Sequence, residues 1–204
     1  MKHFQLVKLI GLFALCVSIL TACVGGASLP TRFYVLSPMD VTTPAPGLIL
    51  PKGTTIGVGP INIPAHLNRP QIVTHSSNNQ LKLADFDQWA EPLNENISRV
   101  VVENLSNLMQ SERIYSFANT SRLSDDGYQL VIDITRFEQS NSGVVYLDAK
   151  WMLYKGLERE PKLLRTARYK HDRLVGSVEE MAAALSDRIG ELSIDIAGSL
   201  ASIN

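Results

Sequence analysis

Apolar side chains recur at intervals of three and four in two stretches of this chain, and alternate in most of the others. Leu93, Ile97, Val100, Val101, Leu105 and Leu108 form one helical stripe. They predict an amphipathic helix over about 91–111, with Pro92 in the first turn, where a missing N–H costs nothing. Val178, Met181, Ala182, Leu185, Ile189, Leu192, Ile196 and Leu200 form a second stripe that runs to the C-terminus. Ser177 and Glu180 precede it at capping-box spacing, with the serine oxygen expected on the N3 amide and the glutamate on the cap amide. The alternating stretches predict strands at 32–36, 54–63, 113–117, 128–137, 144–154 and 162–171. Gly59-Pro60 interrupts the second of these and predicts a kink or bulge, because proline cannot donate to a ladder. Two shorter strands, 71–75 and 80–83, flank Ser76-Ser77-Asn78-Asn79 and read as a hairpin. Residues 37–51, with four prolines, read as a long and partly extended loop. The order is strands, helix, strands, helix. It predicts a single α+β domain, a mostly antiparallel or mixed β-sheet with two long amphipathic helices packed on one face.

The N-terminus has a different pattern. Lys2 and Lys8 give a short positive region ahead of an apolar run over 9–20 that is too short for the roughly 20 residues a bilayer span needs. It reads as the core of an export signal. Leu20-Thr21-Ala22-Cys23 resembles the bacterial lipobox. That resemblance implies removal of residues 1–22 and acylation of Cys23 with S-diacylglycerol and an N-acyl chain. Residues 23–31 are then a lipidated tether and 32–204 the folded domain. Two acyl chains already hold a protein stably at a membrane, and three do so almost permanently. Val24, in the place where an Asp would retain such a protein at the inner membrane, implies an outer-membrane anchor facing the periplasm of a Gram-negative cell.

Loss of Lys2 and Lys8 with the leader leaves 17 basic against 20 acidic side chains. This is not the charge pattern of a nucleic-acid binder. Cys16 leaves with the leader and Cys23 carries lipid, so the fold has no disulfide and depends on its core. Catalytic patterns are missing from the sequence. His66, His75 and His171 stand at no metal-ligand spacing, and Gly57-Val58-Gly59-Pro60 cannot cradle phosphate because proline removes an amide. Asp85, Asp87 and Glu91 form an acidic group placed at the start of the first helix, where negative charge meets the positive end of the dipole. The reading is of a non-enzymatic protein without cofactor or metal.

Two segments go beyond generic patterning. Val58-Gly59-Pro60-Ile61 with Ile63-Pro64 leads into Leu67-Asn68-Arg69-Pro70-Gln71-Ile72-Val73. Further on stands Asp85-Phe86-Asp87-Gln88-Trp89-Ala90-Glu91-Pro92-Leu93. With the lipobox and Phe33-Tyr34-Val35-Leu36, this series resembles the ABC-type transport auxiliary lipoprotein family over nearly the whole mature chain. The resemblance implies an outer-membrane lipoprotein that works with an MCE-domain protein of an inner-membrane complex in lipid transport between membranes and supports envelope integrity, with self-association into a homo-oligomer open. The alternative role is a structural or assembly lipoprotein that binds other envelope proteins or the cell wall. Arg69, Asp85, Trp89 and Glu91 are the motif residues and are expected to be structural. Arg69 would form a bidentate pair with Asp85, Asp87 or Glu91, and Trp89 would be a buried anchor beside it.

Overall fold

A computed structural model describes residues 29–41, 47–77, 79–117 and 123–203. The leader, Cys23 and most of the tether lie outside the described residues. Contacts gather Thr31–Asn204 into one compact unit, separate from Met1–Pro30.

Eight strands form one mixed, curled sheet. They are β1 (Arg32–Tyr34), β2 (Ile56–Asn62), β3 (Gln71–Ser77), β4 (Gln80–Trp89), β5 (Ile114–Ser116), β6 (Tyr128–Gln139), β7 (Val145–Lys155) and β8 (Glu160–Lys170). The long strand β6 organises it. One edge of β6 pairs antiparallel with β7 along its length, and β8 continues that side. The other edge takes β2 in parallel over its first half and β3 only at Gln139, opposite Thr74. β5 lies parallel to β2, while β4 pairs with β3 and carries the short parallel strand β1. The sheet is thus mixed, as the pattern allowed.

Helix α1 (Leu93–Met109) and helix α2 (Val178–Ala201) pack on each other and on this sheet, α1 against β2 and β5, α2 against β6, β7 and β8. Their stripes meet Leu130, Ile132, Ile134 and Phe137 of β6 and Leu147, Ala149, Trp151 and Leu153 of β7, all buried. Each fully buried large apolar side chain contributes about 1.5–3 kcal/mol relative to exposure, so this layer supplies the main stabilisation. Phe137 reaches the core only because of a bulge at Thr135. Ile134 faces Ala149 and Arg136 faces Asp148, so the extra residue reverses the parity of the strand. A second irregularity falls between Val58 and Ile61, at the cis Gly59–Pro60 peptide, where the sequence predicts a kink.

Three local details differ from the expectations. β4 continues through Asp85 and Asp87 to Trp89, so those two carboxylates stand on a strand and not at the start of the helix. The alternation of Ala84 and Phe86 with the two aspartates was the signal for this. Pro92 caps α1 from outside, its carbonyl accepting from the amides of Glu95 and Asn96 at 3.0 Å each. At α2 the Ser177 hydroxyl accepts from the Glu180 amide at 3.1 Å, but the Glu180 carboxylate takes the amide of Gly176, one residue before the cap, at 2.7 Å.

Candidate functional site

The motif residues converge where β1 and β4 end and α1 begins. The turn after Leu67 brings Asn68, Arg69 and Pro70 beside Gln88–Pro92, because the Trp89 amide bonds the Pro70 carbonyl at 2.8 Å. Together with Phe33 these residues line a shallow cleft of about 400 Å³. Trp89 is its buried floor, 6% exposed, whereas the Phe33 ring stands at the rim with 65% of its residue surface open. Asp85 is exposed on β4 and does not line the cleft.

The ion pairs around the cleft are not those expected. Arg32 of β1, not Arg69, grips Asp87 in a bidentate pair, Nε to Oδ1 at 2.7 Å and a terminal nitrogen to Oδ2 at 3.0 Å. The Tyr34 hydroxyl donates to the same Oδ1 at 2.9 Å. The guanidinium above all, opposed by desolvation and helped in smaller measure by the phenol, holds the Asp87 carboxyl below the usual carboxylate range. Glu91 pairs with Arg99, one turn into α1, at 2.9 Å. Among the described residues Arg69 has no carboxylate partner and is exposed. The physical reason is topological: parallel β1–β4 pairing sets Arg32 opposite Asp87, a neighbour 55 residues distant in sequence.

A second polar system lies behind the cleft, and its residues escaped the sequence reading. Residues 35–41 run as an extended strap over the seam between α1 and α2. The strap has no ladder partner, so helix side chains satisfy its amides. Leu36 N–H donates to Asn96 Oδ1 at 3.2 Å, Ser37 N–H to Ser186 Oγ at 3.1 Å, and Met39 N–H to Asn104 Oδ1 at 2.8 Å. Arg99 donates to the Leu36 carbonyl at 3.0 Å, joining the strap to Glu91 at the cleft. Asn104 also donates to Ser193 across the helix pair at 3.2 Å. Asn96, Asn104 and Ser193 are fully buried. Their signal was polar residues set on otherwise apolar helix faces.

One further cluster ties the hairpin to β6. The buried Glu138 carboxylate accepts from Arg136 at 3.2 Å and lies 2.9 Å from His75 Nε2, with His66 at 3.8 Å. Arg136 also stacks over the Tyr146 ring, 3.7 Å from its centre. Among the described residues no group of three or more His, Cys, Asp or Glu side chains is arranged to hold a metal ion, and no helix is long and apolar enough to cross a membrane. The arrangement supplies recognition groups, an exposed aromatic, a cation and a fixed apolar floor, on a rigid base.

The fold has solved counterparts. A crystal structure of a protein described as uncharacterized superposes with a TM-score of 0.67 at 20% identity, covering 84% of this chain and 99% of its own. A Xanthomonas campestris protein of the DUF330 family gives 0.65 at 18% identity, covering 83% and 95%. Comparison with curated proteins gives no match. The sequence itself matches, over residues 34–197, the family described as the ABC-type transport auxiliary lipoprotein component. That span begins in β1, includes the strap and every lining residue of the cleft except Phe33, and ends in the last turns of α2, so the chain belongs to the ABC-type transport auxiliary lipoprotein family.

Proposed function

We propose that the mature chain is held by acyl groups on Cys23 at the periplasmic face of the outer membrane, and that its domain serves without catalysis as the docking component of an MCE-type system carrying lipid between membranes. The observation that carries this reading is the family match over residues 34–197, most of the folded unit, since an auxiliary transport component requires a transporter partner. The lipobox around Cys23 supports the anchor, and residues 23–31 supply the tether. Asp85, Trp89 and Glu91 keep in this reading the structural role of family-motif residues, while Arg69 stays open to solvent. In-cell cross-linking of a tagged chain followed by purification tests it. The expected result is an MCE-domain protein among the cross-linked species, together with palmitate labelling that Cys23→Ser abolishes. Labelling without any MCE protein would favour the structural or assembly role, and absence of labelling would remove the anchor.

A further inference from the structure

Phe33 is an anomaly on this domain. It stands on a three-residue strand whose neighbours, Arg32 and Tyr34, both turn to Asp87, so its own side chain projects the other way, into the rim of the cleft. Beside it lies Arg69. Arg32, Arg99, Arg136 and Arg188 each have a carboxylate within 3.2 Å; among the described residues Arg69, like Arg113, Arg159, Arg165, Arg168 and Arg173, has none, and it is Arg69 that lines the cleft. The one carboxylate lining the cleft, Glu91, is occupied by Arg99. An exposed aromatic next to an unneutralised guanidinium fits a surface that is apolar at one depth and phosphate-rich just above it.

The length of the chain ahead of the domain selects the occupant. Phe33 is ten residues beyond Cys23, which limits its distance from the acylated residue to about 35 Å at full extension. A folded unit of this size is about 40 Å across, so the anchor holds the β1 end on the membrane-proximal side. Among the large apolar side chains exposed on the compact unit, Phe33 and Val35 are the first after the anchor, while Leu157, Leu164 and Leu174 lie far along the chain.

We propose that the Phe33–Arg69–Trp89 cleft is the face the domain rests on the bilayer, with Phe33 at the acyl boundary and Arg69 on headgroup phosphate. This inference rests on the acylated Cys23 of the proposed function. It fixes the orientation of the domain, turning the opposite end toward the periplasm and any protein partner.

The test uses the lipidated protein reconstituted at low density in phosphatidylethanolamine–phosphatidylglycerol vesicles whose acyl chains carry bromine. Phe33→Trp and Leu164→Trp are each compared with the parent, whose Trp89 and Trp151 set the baseline. The expected result is that the indole at position 33 is shifted to the blue and loses about half its emission, as a ring at 5–10 Å depth would. The indole at position 164 should keep its emission, and Arg69→Glu should restore that of position 33. Equal quenching at both positions, or none at 33 with the acyl groups confirmed by mass spectrometry, would overturn the inference and leave the anchor standing. Quenching at 33 that appears only as protein density rises would assign the cleft to a second copy and overturn it as well. An unmodified Cys23 would instead remove the anchored reading, and the membrane-facing cleft with it.

Discussion

Asp87 shows how much a single side chain can depend on its neighbours. In the sequence it belongs to an acidic group with Asp85 and Glu91, and the three look alike. In the fold Asp85 faces solvent, Glu91 is held by Arg99, and Asp87 is clamped between Arg32 and Tyr34. The clamp lowers the Asp87 carboxyl below its ordinary value of 3.8. A carboxyl depressed on folding contributes stability that is complete above its unfolded value and disappears as pH falls through the folded value. Asp87→Asn should therefore lower the melting temperature by a few degrees near neutral pH, and the deficit should close in strong acid. Arg32 is largely exposed, so added salt should shrink the deficit too. Melting curves of both proteins across pH and ionic strength check this, and a deficit that ignores pH would mean the carboxylate charge has no part in it.

At the scale of elements, the helices were legible because a helix writes its packing face into local spacing. The capping serine, the stripes of α1 and α2 and most strand positions follow from interactions within a few residues. The strap was not legible, since its stability comes from side chains 60 to 149 positions away. Asn96 and Asn104 break the apolar face of α1, and Ser186 and Ser193 that of α2, because backbone amides of the strap need acceptors where no strand lies alongside. Asn104→Leu would fill the same space yet orphan the Met39 amide and remove the link to Ser193. It should cost about 1–3 kcal/mol, the penalty for an unsatisfied buried donor. Equilibrium urea unfolding measures it, and an unchanged midpoint would show that the strap draws nothing from the asparagine.

The molecule as a whole has a strong centre and a weaker arm. β6, β7 and the helices share a continuous core that also takes in Ile72, Val73 and Trp89 at the base of the β3–β4 hairpin, whereas the hairpin's outer part joins β6 through the Thr74–Gln139 pair and the Glu138 cluster. The tip of that hairpin is exposed, including Leu81 and Leu83. Hydrogen exchange should therefore release amides around 74–83 well before those of β6 and β7, because local opening there breaks few buried contacts. Uniform protection across the sheet would contradict this ranking. The amino-acid sequence by itself determined the class of fold, the two helices and the family motifs, since periodicity, caps and short motifs are local. Only the tertiary structure decided that Arg32 and not Arg69 holds Asp87, that Phe33 and Arg69 share an open cleft, and that residues 35–41 bind the helix pair. Those facts depend on parallel pairings and strand order. Any of several orders could satisfy the same alternating pattern, and only simultaneous packing of all the apolar faces selects among them.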